Sequence, residues 1–389
     1  MAFTLLAPRT IMVGGGLVAE IAGLLGKFGL SRPLVVSDPN LVSLGLVQRC
    51  LDPLVRAGLH PAVFSETVSE PPDTVVEAGV AVLRRGNYDC LIGFGGGSPI
   101  DIAKAMSILA TGPDGTKMRA FKAPFPADKG ALPIIAIPTT AGTGSETTKN
   151  TIITDAERGE KMVIAGLGAV PLAAIVDFEL TYSLPPRTTA DTGVDAFSHA
   201  LESLVSRRSN PFSDGLALRA MELIGPNLRT AYHEPNNAPA REAMALGATI
   251  AGISFSNSSV ALVHGMSRPI GAHFHVPHGL SNAMLLPEIT RYGLASARAR
   301  YAEAARRAGF SSSSDDAVAA VALADGLAAL NVELAVPTPR AYGIDPVAWE
   351  QKLDLMADQA IASGSPGNNP LVPEKAEIIA LYRKIYAAG

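Results

Sequence analysis

Asp195 and His199 stand four residues apart in DTGVDAFSHALESLVS, a stretch with apolar helical spacing and no proline. Positions i and i+4 lie one above the other on a helix face, so this carboxylate and imidazole point the same way. His264 and His278 open and close HGMSRPIGAHFHVPHG, where Gly265, Pro269, Gly271, Pro277 and Gly279 predict only short helical or loop pieces. One carboxylate and three imidazoles suit a divalent first-row cation, Fe(II) or Zn(II), with room left for a substrate oxygen. A lone pair at this spacing has a plainer explanation: Asp195 as a capping or surface carboxylate and His199 as a packed core histidine. The company these four residues keep decides between the two.

Glycines and hydroxyls gather at further strand exits. Gly95, Gly96, Gly97 and Ser98 follow the apolar run Cys90–Phe94, and Ile100–Leu109 opens a helix behind them. Three glycines let backbone N–H groups approach a pyrophosphate, and the amino end of the helix adds a favourable dipole. Asp101 falls in the first turn, where an acid also suits that dipole. Asp38, at the carboxyl end of an earlier strand, could accept hydrogen bonds from an adenosine ribose or could cap a helix. Pro138–Glu146 is another such exit, with Thr139, Thr140, Thr143 and Ser145 as donors for phosphate, ribose or the nicotinamide amide. Each alone is an ordinary turn. Together, at the ends of expected parallel strands, they predict a cofactor cleft.

The elements that must hold these residues alternate in the first half. Pro33–Asp38, Pro61–Phe64, Cys90–Phe94 and Leu132–Pro138 read as strands, and Leu41–Ala57, Pro72–Arg85 and Ile100–Leu109 as helices. That alternation implies a parallel sheet with helices on both faces. After Pro185-Pro186 the stretches Pro211–Thr230, Ala240–Ile253, Ala295–Ala308 and Pro373–Ala388 read as helices, and β-branched runs become rare. The expectation is an α/β dinucleotide-binding domain over residues 1–185 and an all-α metal-binding domain over 186–389. A chain of 389 residues is long enough for two cores.

Composition narrows the class. With 48% apolar and 17% charged residues the chain is globular, not disordered. Basic residues number 32 against 36 acids, for a net charge of −4 with no basic stripe, so nucleic acid is not an expected partner. Cys50 and Cys90 form neither a disulfide framework nor a CxxC site, which fits a reducing compartment. MAFTLLAPRTIMVGGG does not follow the pattern of an export signal, because Arg9 comes after the apolar start and Pro8 and Gly14–Gly16 interrupt it. No run approaches the ~20 apolar residues of a membrane span. A soluble, cytoplasmic protein without a membrane partner is expected.

GFGGGSPIDIAKA, PTTAGTGSE, DAFSHALES, HGMSRPIGAHFHVPHG and the closing NPLVPEKAEIIALYRKIY resemble, in order and spacing, the iron-containing (group III) alcohol dehydrogenases. The resemblance covers the whole chain. It implies an N-terminal Rossmann-like domain and a C-terminal helical domain, with metal and nicotinamide meeting in the cleft between them. It implies Asp195, His199, His264 and His278 as metal ligands, and Gly95, Gly96, Gly97 and Ser98 as pyrophosphate contacts. Thr139, Thr140, Thr143 and Ser145 would line the dinucleotide path, and Lys161, in EKMVI, would contact a ribose. Asp38 would disfavour a 2′-phosphate and so favour NAD over NADP. Fe(II) is the expected metal, with Zn(II) as a second choice, and a homodimer is the implied assembly.

Arg268 departs from the family pattern, in which a second histidine, often assigned to proton relay, stands four residues after the first. A guanidinium does not titrate near neutral pH. Proton transfer is therefore expected at His273 or His275, with His275 favoured because it is closer in sequence to His278. Arg268 itself is expected as a structural ion pair or as a planar fork for a carboxylate, sulfonate or phosphonate. The expected reaction is the reversible, metal-dependent oxidation of an alcohol to an aldehyde or ketone by hydride transfer to NAD. A short anionic substrate of the hydroxy acid or semialdehyde type is the finer expectation. Dehydroquinate synthase shares the architecture, but no Lys and Arg cluster surrounds the metal motif to hold a phosphorylated polyol. A maleylacetate reductase-like enzyme and a non-catalytic metal- or nucleotide-binding protein also compete with this assignment.

Overall fold

The structure, a computed structural model, describes residues 3–387. Ala388, the expected end of the last helix, and the first two residues of the apolar amino-terminal stretch lie outside the described residues. The chain forms two compact units, Thr4–Ser183 and, together with Phe3, residues 184–387.

The first unit is built on a parallel sheet. Its strands are β1 (Thr10–Val13), β2 (Pro33–Val36), β3 (Ala62–Phe64), β4 (Cys90–Gly95) and β5 (Ile134–Pro138); after an antiparallel hairpin of β6 (Asn150–Asp155) and β7 (Glu160–Ala165) comes β8 (Ala173–Val176). Their order is β1–β8–β5–β4–β2–β3. The helices between them are α1 (Ile21–Lys27), α2 (Pro39–Ser43), α3 (Gln48–Arg56), α4 (Asp73–Arg85) and α5 (Gly97–Leu109). Side-chain alternation shows why both faces are covered. Leu34, Val36 and Leu91 turn toward Val76, Val80, Ile102 and Met106, whereas Val35, Ile92, Phe94 and Ile137 turn toward Ile21, Leu25, Cys50 and Leu54. A Cβ on Gly93 would lie 2.9 Å from the Ile100 Cα, so that glycine lets α5 press onto β4.

The strand order reverses between β2 and β4. The chain steps outward from β2 to β3, then returns past β2 to place β4 on its other side. Ligands of open parallel sheets bind beyond the carboxyl ends of strands at such a reversal. Asp38 leaves β2 there and Gly96 leaves β4.

Two local expectations need correction here. Leu41–Ala57 is not one helix: α2 ends at Ser43 and α3 starts at Gln48, with Gly45 in the left-handed region (φ 72°) between them. Glycine takes that conformation without penalty and so ends the first helix. The strands β1 and β8, four residues each, and the β6–β7 hairpin add to the expected elements. A four-residue run carries too few periods to distinguish strand from helix.

The second unit is helical. It comprises α6 (Pro186–Val205), α7 (Pro211–His233), α8 (Ala238–Ser256), α9 (Leu262–Phe274), α10 (His278–Gly293), α11 (Arg298–Arg307), α12 (Asp316–Glu333), α13 (Pro346–Ala362) and α14 (Lys375–Ala387). Helix α6 packs against α7, α8 and α10 and is buried along most of its length. A Cβ on Gly193 would meet Leu228 at 2.3 Å and Met244 at 3.0 Å, so α6 approaches both neighbours through this glycine. The segment from His264 to Gly279 is not a set of short pieces but two helices, α9 running through Pro269. Proline costs a helix interior about 3 kcal/mol. Burial of Leu262, Val263, Met266 and Ile270 outweighs that cost. Among the described residues no helix is long and apolar enough to cross a membrane.

Candidate metal centre and nucleotide-binding loops

Asp195 and His199 face the same side of α6, as their spacing requires, and both are buried. The carboxylate is the focus. Its Oδ1 lies 3.4 Å from His264 Nε2, 3.8 Å from His278 Nε2 and 3.9 Å from His199 Nε2. Asp195, His199 and His264 present donor atoms that all lie within 4.8 Å of one another. The His199 ring is clamped between Phe255 of α8 and His264, with centroids 4.2 and 4.5 Å away. His278 closes the set from the start of α10, its side chain 37% exposed. Three imidazoles thus aim one nitrogen each at a single carboxylate oxygen.

The glycine after each histidine explains how α9 and α10 reach this position. A Cβ on Gly279 would fall 2.5 Å from the Asp191 carbonyl oxygen, so the start of α10 lies directly on α6. A Cβ on Gly265 would fall 2.7 Å from Pro366, so the start of α9 lies on the Pro366–Asn368 turn.

Two further residues of the site are absent from the sequence-based set. Glu202 is buried on α6 and does two jobs: Oε1 accepts the Val263 N–H at the unsatisfied amino end of α9, and Oε2 lies 2.5 Å from His264 Nδ1. A carboxylate on the far nitrogen fixes the orientation of a ligating imidazole and turns Nε2 inward. The signal was available, since Glu202 follows Asp195 by seven and His199 by three, on the same stripe of a buried helix. Asn282 is the second. Its Nδ2 donates to Asp195 Oδ1 at 2.7 Å and stands 3.2 Å from Nε2 of both His264 and His278. Nothing in the sequence distinguishes it from a capping or packing amide.

The electrostatics suit a cation. Burial would push the Asp195 carboxyl up, but the imidazoles of His199, His278 and His264 hold it well below the usual carboxylate range. Burial likewise opposes a charged His264, yet Glu202 and Asp195 raise that imidazole to about 9. Both shifts express one property. Two buried carboxylates among three imidazoles stabilise positive charge here, whether a proton or a metal ion. The donor set, one hard oxygen and three borderline nitrogens on packed helices, fits a divalent first-row cation.

Arg268 lies one turn beyond His264 on α9, on the same face. The ion pair expected as its structural role is not formed. Among the described residues Arg268 has no carboxylate oxygen within 4.0 Å, and Nη1 donates to Ser365 Oγ at 3.0 Å. Burial holds its guanidinium below the ordinary arginine value, with Glu202 acting the other way. The two histidines expected to relay a proton differ in placement. His273, nine residues after His264, falls on the opposite face of α9 and bonds Gln359 of α13 at 2.8 Å. His275 is exposed in the left-handed conformation (φ 54°) that ends α9. Neither is hydrogen bonded or ring-stacked with the four converging residues.

In the α/β unit, α5 starts at Gly97 directly behind β4, and no side chain caps its first turn. The Thr139 N–H donates to the Gly95 carbonyl at 2.8 Å, and a Cβ on Gly97 would meet Thr143 Cγ2 at 3.0 Å. Gly95, Gly96, Gly97 and Ser98 are thereby brought against Thr139, Thr140 and Thr143. Asp38 lies at the strand reversal, and one carboxylate oxygen caps α2 by accepting the Leu41 N–H at 2.9 Å. Lys161, on β7, pairs with Glu70 at 2.5 Å.

Asp101 and Ser145, expected at the cofactor, are hydrogen bonded to each other. Ser145 Oγ donates to Asp101 Oδ1 at 2.6 Å, and Asp101 Oδ2 accepts the Ile152 N–H at 2.9 Å. Lys104, wholly buried on α5, completes the network. Its ammonium lies 2.6–3.1 Å from five oxygens of Ser145, Thr148 and Asn150. This ties the segment after the threonine loop to the helix behind the glycine turn, so both loops are held by one buried charge.

Comparison with known proteins gives the family of the chain. Residues 8–178 match the family described as iron-containing alcohol dehydrogenase, and residues 189–386 match the C-terminal region of the same family. Lactaldehyde reductase of Escherichia coli (strain K12) is 35% identical, covering 98% of this chain and 99% of its own. The crystal structure of a 1,3-propanediol oxidoreductase superposes with a TM-score of 0.93 at 32% identity, over 99% of this chain and 100% of that one. A sulfoacetaldehyde reductase from Bifidobacterium kashiwanohense, solved in complex with NAD+, superposes with a TM-score of 0.89 at 30% identity over the whole of both chains. The chain therefore belongs to the iron-containing alcohol dehydrogenase family, and it is an oxidoreductase that interconverts an alcohol and its carbonyl partner.

Proposed function

We propose that this dehydrogenase holds a divalent cation, iron foremost, through Asp195, His199, His264 and His278, uses NAD, and acts on a short substrate carrying an anionic group. The observation carrying the reading is the convergence of three Nε2 atoms on Asp195 Oδ1 at 3.4–3.9 Å. When bound, the cation supplies Lewis-acid polarisation of the substrate oxygen and NAD supplies the hydride acceptor. The remaining work belongs to the chain. Glu202 keeps His264 turned inward, and the buried faces of α6 and α9 shield Asp195, His199 and His264 from water. The N–H groups of Gly96–Ser98, at the amino end of α5, receive the pyrophosphate. Thr139, Thr140 and Thr143 line the dinucleotide beside them, and Lys161 reaches a ribose on leaving Glu70. The free, buried thiols of Cys50 and Cys90 suit a reducing cytoplasm, and the family resemblance supports a homodimer.

Asp38 carries the choice of dinucleotide. Its second carboxylate oxygen stands at the strand reversal, where it would accept from a ribose 2′-hydroxyl and repel a 2′-phosphate. The enzyme should use NAD with a higher kcat/KM than NADP, and Asp38→Gly should narrow that gap. A wild-type preference for NADP in steady-state assays would remove Asp38 from this role.

Arg268 carries the substrate class. A largely buried guanidinium with one hydroxyl partner and no carboxylate has fork donors left for an anion. Lactaldehyde reductase and sulfoacetaldehyde reductase, two of the relatives, are named for two- and three-carbon aldehydes, one bearing a sulfonate. Wild-type kcat/KM should be higher for a short anionic aldehyde than for its neutral counterpart. Arg268→Gln should erase the difference, a loss of roughly 1.5–3 kcal/mol for a charged hydrogen bond. Equal use of both substrates by the wild type would leave Arg268 only the task of holding Ser365.

A further inference from the structure

Asn282 lies one turn into α10, four residues after His278, and is completely buried. Its Nδ2 is 2.7 Å from Asp195 Oδ1 and 3.2 Å from the Nε2 atoms of His264 and His278. These are three of the four donors of the proposed centre, and a cation would sit about 2.0–2.2 Å from each. An atom in that position crowds three of the four ligand atoms from the side a cation would approach. The other end of the amide, Oδ1, is buried without a hydrogen-bond partner. Buried amides seldom leave their oxygen unserved. The amide nitrogen is turned toward the buried Asp195 carboxylate, which needs a donor, at the expense of the amide's own oxygen.

We propose that Asn282 is an internal competitor for the metal centre: its amide holds the ligands in register by hydrogen bonds and swings out when a divalent cation enters. The proposal rests on the four-ligand reading above and adds a residue that reading does not use. The amide donates to Asp195 Oδ1, whose electron pairs a cation needs, and its nitrogen crowds Nε2 of His264 and of His278 at 3.2 Å. Both occupants stabilise the same buried carboxylate, so binding is an exchange of partners and not the filling of an open pocket. His278 can remain in place during the exchange, because Gly279 pins the start of α10 to Asp191, while Asn282 turns about its own side-chain torsions. The ligands stay preformed, and the affinity lies below what four ligands alone would reach.

The test is Zn(II) and Co(II) affinity by competition with a chromophoric chelator, on metal-stripped wild type, Asn282→Ala and Asn282→Ser. Thermal unfolding is followed with and without Zn(II). Asn282→Ala should bind roughly tenfold more tightly, the worth of one displaced charged hydrogen bond. Metal-stripped Asn282→Ala should melt below the wild type, and the difference should close when Zn(II) is added. Serine, which keeps one shorter donor, should fall between the two and stands in if the alanine variant does not fold. Weaker binding in the variants would make Asn282 a ligand or a support for the metal, and unchanged affinity would make its amide irrelevant; either result overturns the proposal. His264→Ala controls the underlying reading. If it retains wild-type affinity, the four-ligand centre fails and Asn282 falls with it, whereas failure at Asn282 alone leaves the centre intact.

Discussion

His264→Ala and His278→Ala should each lose bound metal and alcohol oxidation together, while the helical circular dichroism of the protein is retained. Each substitution removes one of the nitrogens gathered around Asp195 Oδ1. Loss of an outer-shell partner costs roughly 10–100-fold in metal affinity or activity, so loss of a direct ligand should exceed that range. The two variants should differ in stability. His264 is 3% exposed and bonded to Glu202, and its removal leaves a buried carboxylate short of a partner. His278 is 37% exposed, so its loss should change the melting temperature little. His60→Ala and His233→Ala, outside the motifs, serve as controls and should keep both metal and turnover. Metal analysis by mass spectrometry decides the matter, and full occupancy in both ligand variants would refute the assignment.

Lys104→Met should destabilise the α/β unit by about 3–5 kcal/mol, the usual result of removing one partner from a buried charged network. The oxygens of Ser145, Thr148 and Asn150 would lose the ammonium they surround, and Asp101 its nearby positive charge. The double variant Asp101→Asn/Lys104→Met should recover part of that loss, because the stranded carboxylate is then gone. The effect has a definite pH dependence. Burial pushes the Lys104 ammonium down to about 8 from 10.5, with Asp101 and Glu146 pulling it back up. Between those values the unfolded chain holds the proton and the folded chain has released it. The contribution of Lys104 to the unfolding free energy therefore rises with pH across this window. The gap between wild type and Lys104→Met should widen from pH 8 toward 10.5 in urea titrations. A gap of less than about 1 kcal/mol, or one that narrows with pH, would show that the network contributes little.

Residues whose role follows from local periodicity were legible in the chain. Asp195 and His199 share a helix face because 3.6 residues make a turn, and Glu202 was readable on the same stripe. The strands β2, β4 and β5 announced themselves as apolar runs, the first ending in a carboxylate and the others in glycine or proline, which placed Asp38 and the Gly95–Ser98 turn at strand ends before any fold was known. Charge, cysteine usage and the four-ligand chemistry needed only residue types. The mismatch at Arg268 followed from the family resemblance, and its location one turn from His264 became certain once α9 proved to be helical.

What depended on contacts between distant segments was decided by the tertiary structure alone. Packing carried α9 through Pro269, against the local preference of proline, because burial of four apolar side chains outweighs one missing hydrogen bond. That helix then set the faces, turning His273 toward Gln359 while His264 faced Glu202. Asp101 and Ser145, plausible cofactor contacts by position, proved to be bonded to each other because Lys104 is buried between their segments. Gly279 against Asp191 and Asn282 against Asp195 are contacts between α10 and α6, separated by about ninety residues of chain. Periodicity tells which side of an element is buried, and only the packed structure tells against what.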